Sequence, residues 1–452
     1  MKQGRRSLLG LAMLGTVNRL LAASTTSGRA PNAFAALDAE LAAIASNPAC
    51  QLVSLSVLAI KRGKVAYQQQ FGQRFLGPGQ VPAKPANERT LYRIASISKM
   101  MTTLAAMRLV EEGKLELDAD VSSYLGFTLR NPYHPGRALT LRSLFTHTSS
   151  LRDDAGYAWP CNVSLKSVLV SGEKNYGAGK MWARNAPPGE FFTYANLGWG
   201  VIGTIMERVA GERFDLLMKR LLLDPLGMHG GFNPAQFSPE DLSNLATLYR
   251  KRTTDTEIWN AAGPWIAQVD DYSITAPLPP AGIDAYVPGA NATPFSPTGG
   301  LRVSAADMGK AMLMLINDGM HEGRQILKSA TLQRMFARQW TYDGKGGNGD
   351  SERGLFNCWG LGNQQFPDRP GSGMQLVEGG GFSGVGHLGE AYGLMSAFVF
   401  DPVTRNGMVM LVGGTSSDPE AQKGAYSAMA RFEEQVLTAM YRRAIAVNSE
   451  RL

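Results

Sequence analysis

The stretch Arg93-Ile-Ala-Ser-Ile-Ser-Lys-Met-Met-Thr-Thr103 places a serine three residues before a lysine, where a strongly apolar run begins. Met100, Leu104, Met107 and Val110 recur at helical spacing and Gly113 closes the run, so a helix is predicted from near Ile97. Two readings fit the pair. Ser96 is a helix cap followed by a surface lysine, or Ser96 is a nucleophile and Lys99 the amine that activates it. Residues three apart share a helix face, so Lys99 can reach the Ser96 hydroxyl. The positive helix end favours negative charge developing there. A lysine kept from water by Met100 and Met101 gives up its proton more easily. Ser-x-x-Lys is common by chance in a chain this long, so the rest of the sequence must decide.

Two further motifs bear on it. Tyr194-Ala-Asn196 follows Pro187-Pro-Gly-Glu190 and precedes a helix predicted over Leu197 to Ala210, with Val201, Ile205 and Val209 on one face and Gly211 as its stop. A tyrosine and an asparagine two apart, just before a helix, can face one cleft. A phenol near a lysine can move a proton, and an amide can hold a carbonyl. The competing reading is a packed aromatic beside a helix cap. Gly386-His387-Leu388-Gly389 precedes a strand predicted from Leu394. A glycine on an edge strand there lets a substrate backbone pair beside it. Alone, His387 reads as an ordinary buried histidine.

Around these motifs the pattern alternates between ends and middle. Phe34 to Ser46 reads as an alanine-rich helix. Leu52 to Ile60 and Val65 to Phe71 read as a hairpin about Lys61-Arg-Gly-Lys64. The stretch 96–290 reads as mostly helix and loop, with the Pro-, Asp- and Thr-rich segment 233–296 as a long excursion over a site. Leu394 to Phe400 and Met408 to Val412 flank a turn, and Pro419 to Ala446 reads as a closing helix. The expected fold is α/β (α+β): an antiparallel sheet built from both termini and flanked by helices, with a mostly helical inserted region. Residues 34–452 are expected to form one domain.

Residues 1–23 read as an export signal. Lys2, Arg5 and Arg6 precede a modest apolar run, and Ala22-Ala23-Ser24 follow it. Arg5-Arg6 points to the twin-arginine route. The run is too short to span a bilayer. Location is therefore expected to be periplasmic or secreted, with no integral membrane span after leader removal. Without Lys2, Arg5, Arg6 and Arg19 the formal charge falls from +7 to +3, and no basic block remains to read as a nucleic-acid surface. Cys50, Cys161 and Cys358 lack metal-site spacing. They leave room for one disulfide, but each reads better as a buried small hydrophobe.

In order and spacing, Ser96-Ile-Ser-Lys99, Tyr194-Ala-Asn196 and His387-Leu-Gly389 resemble the β-lactamase and penicillin-binding-protein superfamily of serine hydrolases. The class C branch, which includes D-amino-acid peptidases and esterases, fits best. Leu141-Arg-Ser-Leu-Phe-Thr-His-Thr-Ser149, Pro225-Leu-Gly-Met228 and Gly299-Gly-Leu-Arg-Val-Ser304 resemble it as well. The resemblance implies that Ser96 forms an acyl-enzyme while Lys99 and Tyr194 share the proton work. It implies that Asn196 orients the acyl group, that the backbone amides of Ser96 and Glu390 form the oxyanion hole, and that His387 and Gly389 line the substrate strand. It makes His147 a structural helix end, and it implies no metal and no organic cofactor.

One departure bears on the substrate. Lactam- and peptide-cleaving relatives carry Lys-Thr-Gly or Lys-Ser-Gly at the third motif, where cation and hydroxyl meet a carboxylate. Here His387 and Leu388 stand instead, and Arg302 is the first alternative cation. Expected activity is ester or amide cleavage of the esterase or D-amino-acid peptidase kind, on a small-molecule or peptide substrate. A class C-like β-lactamase and a penicillin-binding sensor without turnover are the alternatives. An α/β-hydrolase is excluded, because Gly381-Phe-Ser-Gly-Val385 has valine where its elbow needs glycine.

Overall fold

Ser54–Lys61 (β1) and Lys64–Phe75 (β2) form the expected hairpin, with Lys61 opposite Lys64. Arg62 and Gly63 both take positive φ, 49° and 75°. That pair of conformations reverses a chain in two residues while keeping the strands' twist. The computed structural model describes residues 33–447 except Pro78, Thr254, Asp255, Glu257 and Ser372. The leader read at 1–23 lies outside the described residues.

Gly384–Ala391 (β3), Leu394–Asp401 (β4) and Asn406–Val412 (β5) complete the centre of the sheet. β5 pairs with β1, Leu55 standing opposite Val412, so both ends of the chain build one sheet. Across it the order is Trp340–Thr341, Cys358–Trp359, Gln364–Phe366, β3, β4, β5, β1, β2 and Lys84–Pro85. Each neighbour in this row is antiparallel.

The longer helices are Ala35–Ala45 (α1), Ile97–Glu111 (α2), Leu197–Ala210 (α3), Ala305–Ile316 (α4) and Arg431–Met440 (α5). Alternate residues of the central strands feed two cores. Leu55, Val57 and Ala59 join Met395, Ala397, Met408 and Met410 under α1 and α5. Leu58 and Ile60 join Phe398, Phe400, Val409 and Leu411 under α2 and α4. Both faces are covered, which is why these strands read as near-continuous apolar runs. Truncating a core leucine to alanine at such a site costs about 2–5 kcal/mol.

α2 is buried almost all round. Its apolar stripe packs as expected, but Ser98, Lys99, Thr102 and Thr103 are buried too. Neighbours satisfy them: Thr102 Oγ1 donates to Pro297 O at 2.9 Å, and Ser98 Oγ accepts from Leu301 N at 3.1 Å. α3 presses on the same helix, its Trp199 Nε1 donating to Lys99 O at 2.9 Å.

The region read as mostly helix and loop also holds the short strands Leu248–Lys251 and Trp265–Val269, which form a small sheet with Gly414–Thr415. The parallel partner Gly414–Thr415 comes from the far end of the chain, so no local pattern announces the strand. The closing helix begins at Arg431, not Pro419. Residues before it form a loop because the Glu434 carboxylate accepts from Ala425, Tyr426 and Ser427 N, which turns those amides away from a helix. Among the described residues no helix is long and apolar enough to cross a membrane.

Candidate active site

Ser96 sits at the N-terminal flank of α2, after Ala95, whose φ is +47°. An alanine in the left-handed region is strained, and such strain persists where the surroundings impose it. The Ser96 side chain caps nothing. Its Oγ lies 3.0 Å from Lys99 Nζ, so Ser96 is not a side-chain cap and Lys99 is not a surface lysine.

Lys99 is fully buried. Its Nζ donates to Asn196 Oδ1 at 2.8 Å and to Thr298 O at 3.1 Å. Burial lowers the ammonium's pKa to about 7, against a partial opposing pull from Asp153. The rings of Tyr194 and Trp199, 4.9 and 5.8 Å away, favour the cation. A cation–π contact is worth about 0.5–2 kcal/mol, whereas desolvating an ion costs several, so burial dominates. Two of the three neighbours of Nζ can only accept a hydrogen. A neutral amine therefore gives its two hydrogens to Asn196 and Thr298 and turns its lone pair to the Ser96 hydroxyl.

Tyr194 and Asn196 enter from the loop before α3. Burial raises the Tyr194 pKa and keeps it a phenol, against a partial opposing pull from Ser96. Its ring is clamped between His147 (centroids 4.4 Å, 29°) and Phe356 (4.7 Å, 8°). Asn196 does not cap α3 with its side chain. Asp153 takes that place. Its Oδ2 accepts from Asn196 N and Asn196 Nδ2, both at 2.8 Å, and its Oδ1 from Leu197 N at 2.9 Å. Thr298 Oγ1 adds a hydrogen bond to Asn196 Oδ1 at 2.7 Å.

His147 ends the short helix Leu141–Phe145, two residues on, with φ +56°. Its Nδ1 accepts from Ala195 N at 3.0 Å, so it fixes the loop that carries Tyr194 and Asn196. Burial holds it well below its usual pKa, and it stays neutral.

The third motif lies inside β3. Strand Gln364–Phe366 covers only Gly384 to Gly386, which leaves the outer edge of the strand open from His387 onward. Ala391 faces Leu394 across a turn in which Tyr392 and Gly393 have positive φ. In such a hairpin the closing pair is hydrogen-bonded, so by alternation the amides of Leu388 and Glu390 point to the open edge. Gly389 lets the strand come close. A Cβ there would stand 2.5 Å from Ser396 Oγ, 2.6 Å from Ile94 O and 3.2 Å from Ser96 N. The amides of Ser96 and Glu390 thus flank one spot.

His387 is buried, and its Nδ1 donates to Leu388 O. Burial first, and Lys99 second, lower its pKa to about 3. Its Nε2 has no hydrogen-bond partner among the described residues. His387 therefore offers a lone pair where the related motif offers a cation. Arg302 does not replace that cation. It is buried, and its guanidinium is paired with Asp270 through Nε at 3.0 Å and Nη2 at 2.7 Å.

Ser96, Tyr194, Asn196, His387, Leu388, Gly389 and Glu390 all line one cleft of about 1110 Å³, with Lys99 beneath it. Residues Arg250, Arg252, Ala267 and Gln268 from the polar excursion form part of its wall. Sequence reading missed Asp153, Thr298 and Phe356, which lie far along the chain from the residues they position. Cys50, Cys161 and Cys358 are buried and unpaired. No group of three or more His, Cys, Asp or Glu among the described residues is placed to hold a metal ion.

A family model described as Beta-lactamase matches residues 33–431. Penicillin-binding protein 4* of Bacillus subtilis (strain 168) is 27% identical over 200 residues, 43% of this chain and 41% of its own. Esterase EstB of Burkholderia gladioli is 29% identical over 196 residues, 41% of this chain and 48% of its own. The chain thus aligns with less than half the length of these curated relatives. A solved structure described as a class C beta-lactamase superposes with a TM-score of 0.61 at 16% identity, covering 93% of this chain and 99% of that one. That likeness concerns the fold. With the family model spanning most of its length, the chain belongs to the Beta-lactamase family.

Proposed function

We infer that the chain is a serine hydrolase that cleaves an ester or amide through an acyl-enzyme on Ser96. One observation carries the reading: a fully buried lysine amine 3.0 Å from a serine hydroxyl, with acceptors for its remaining hydrogens. Neutral Lys99 takes the Ser96 proton as Oγ bonds to the substrate carbonyl carbon. The carbonyl electron pair moves to oxygen, which the Ser96 and Glu390 amides receive. On collapse the bond to the leaving group breaks, and the Tyr194 phenol protonates that group. Proton transfer from Lys99 restores Tyr194. Water then attacks the acyl-enzyme through the same groups in reverse.

Esters and amides without a carboxylate on the leaving-group side suit the cleft best, since neutral His387 and Leu388 supply no cation there. The esterase name of one curated relative agrees with this reading. Export through the leader at residues 1–23 is part of the same proposal.

The test is a panel of p-nitrophenyl esters, D-amino-acid peptides and nitrocefin, with mass spectrometry after a fluorophosphonate. Labelling at Ser96 and ester turnover that both vanish in Ser96→Ala are expected. Ser96→Ala retaining more than about a thousandth of the activity would overturn the assignment. An adduct formed with penicillin that never clears would mean a sensor instead.

A further inference from the structure

The leaving group must lie beside Tyr194 to be protonated, and Tyr194 stands on the His387 side of the cleft, ring centroids 6.4 Å apart. The acyl chain then runs the other way, past Glu390 toward the β3–β4 turn. That end is built differently. Arg93, three residues before Ser96, lines the cleft there with Tyr157 and Tyr392. Its Nε donates to Gly299 O at 3.1 Å, and its guanidinium carbon lies 5.1 Å from the Tyr392 ring centroid. Its two terminal nitrogens have no hydrogen-bond partner among the described residues.

The neighbouring cations are engaged differently. Arg302 is neutralised by Asp270. Arg250 lies over Trp259 at 5.2 Å, and Arg252 donates to the carbonyls of Thr253 and Thr256. Among the described residues, Arg93 combines a fixed Nε, a cation–ring contact and Nη donors without a hydrogen-bond partner, three residues before Ser96. The two tyrosines are 44% and 41% exposed, so they offer apolar walls to an incoming chain. Tyr392 reaches this place from a left-handed backbone conformation, φ +57°, which a tyrosine rarely adopts.

We propose that Arg93, Tyr157 and Tyr392 form an acyl-side anion subsite, which selects acyl groups ending in a carboxylate, as in a half-ester or half-amide of a dicarboxylic acid. The chain of the acyl group lies between the aromatic rings, and its carboxylate takes the Nη hydrogens of Arg93. Guanidinium suits this task because its planar donors match a carboxylate's two oxygens. The inference rests on the acyl-enzyme reading. It completes a charge reversal: the leaving-group side lacks the cation usual at the third motif, and the acyl side has one.

The experiment compares mono-p-nitrophenyl adipate, pimelate and suberate with p-nitrophenyl hexanoate, heptanoate and octanoate. At the best chain length the half-ester is expected to exceed its neutral counterpart in kcat/KM by about ten- to a hundredfold, the range for one charge-assisted hydrogen-bonded pair. The preference should shrink as salt is added, since the subsite is open to water. In Arg93→Gln the ratio should collapse to about one, and Arg93→Lys should keep part of it. No preference at any length, or a ratio that survives Arg93→Gln, overturns the subsite. Calorimetric titration of Ser96→Ala protein with the adipate half-ester and with the hexanoate ester reads the same preference without chemistry. Loss of the acyl-enzyme reading and loss of the subsite therefore appear in different arms.

Discussion

The carboxylate of Asp153 holds Asn196 twice, its Oδ2 accepting from the backbone N and from Nδ2, each at 2.8 Å. With Nδ2 committed to a carboxylate, Oδ1 must face Lys99 and Thr298. Asp153 thereby sets which end of the amide meets the lysine, 43 residues before the asparagine it orients. It touches no reacting atom and acts as a positioning residue.

Asp153→Asn is expected to lower kcat about tenfold or more while KM changes little, because one strong charge-assisted contact is lost. The Asp153 charge also raises the Lys99 pKa. Without it the pKa falls further, so the acid limb of the pH–rate profile should move to lower pH. A loss of kcat with an unmoved limb would mean a merely structural role.

The wild-type profile tests the proposal that Lys99 is the base, which requires its neutral amine; burial lowers its pKa to about 7. kcat/KM for a neutral ester should therefore fall about tenfold per pH unit below that value and level off above it. A limb near pH 4, or none, would move the base elsewhere. Tyr194→Phe should lower kcat by about a hundred- to ten-thousandfold and keep the same limb, since the phenol acts as the acid.

Gly389→Ala tests the close approach of β3 to the nucleophile. The new Cβ would meet Ile94 O at 2.6 Å and Ser96 N at 3.2 Å. Overpacking of this kind costs about 1–3 kcal/mol. Chemical denaturation should show that loss, and fluorophosphonate labelling of Ser96 should fall in the protein that still folds. Labelling at the wild-type rate would place the oxyanion elsewhere.

Glu433 lies in the cleft wall, and burial raises its pKa to about 8. The folded state then binds more protons than the unfolded chain above pH 4.5, so stability is highest below that pH and declines as pH rises through 8. The decline is at most about 1.4 kcal/mol per pH unit. Glu433→Gln keeps an acceptor for Ala430 N, a bond of 2.9 Å in the wild type, and removes the titration. Urea denaturation at pH 5, 7 and 9 should show a flatter dependence in the variant. Parallel curves would mean that Glu433 is ionised throughout.

Much of the molecule is determined by the sequence alone. The strands β1, β2, β4 and β5 and the helices α2 and α3 are visible because their signals are local: apolar periodicity, a two-residue turn, a glycine stop. Ser96, Lys99, Tyr194, Asn196 and His387 are visible because each motif fits within four residues and the three occur in one order. What the tertiary structure decided depends on distant partners. Lys99 has its ammonium's pKa lowered because the surrounding elements bury it, with Trp199 of α3 and the Thr298 carbonyl against it. Arg302 is taken out of the cleft by Asp270, and Arg93 is brought into it beside Tyr392. His387 is kept neutral, and Asp153 and Thr298 fix Asn196. The closing helix starts late because Glu434 captures loop amides. Burial and charge pairing are properties of the surroundings in space, and a residue's chain neighbours do not encode them.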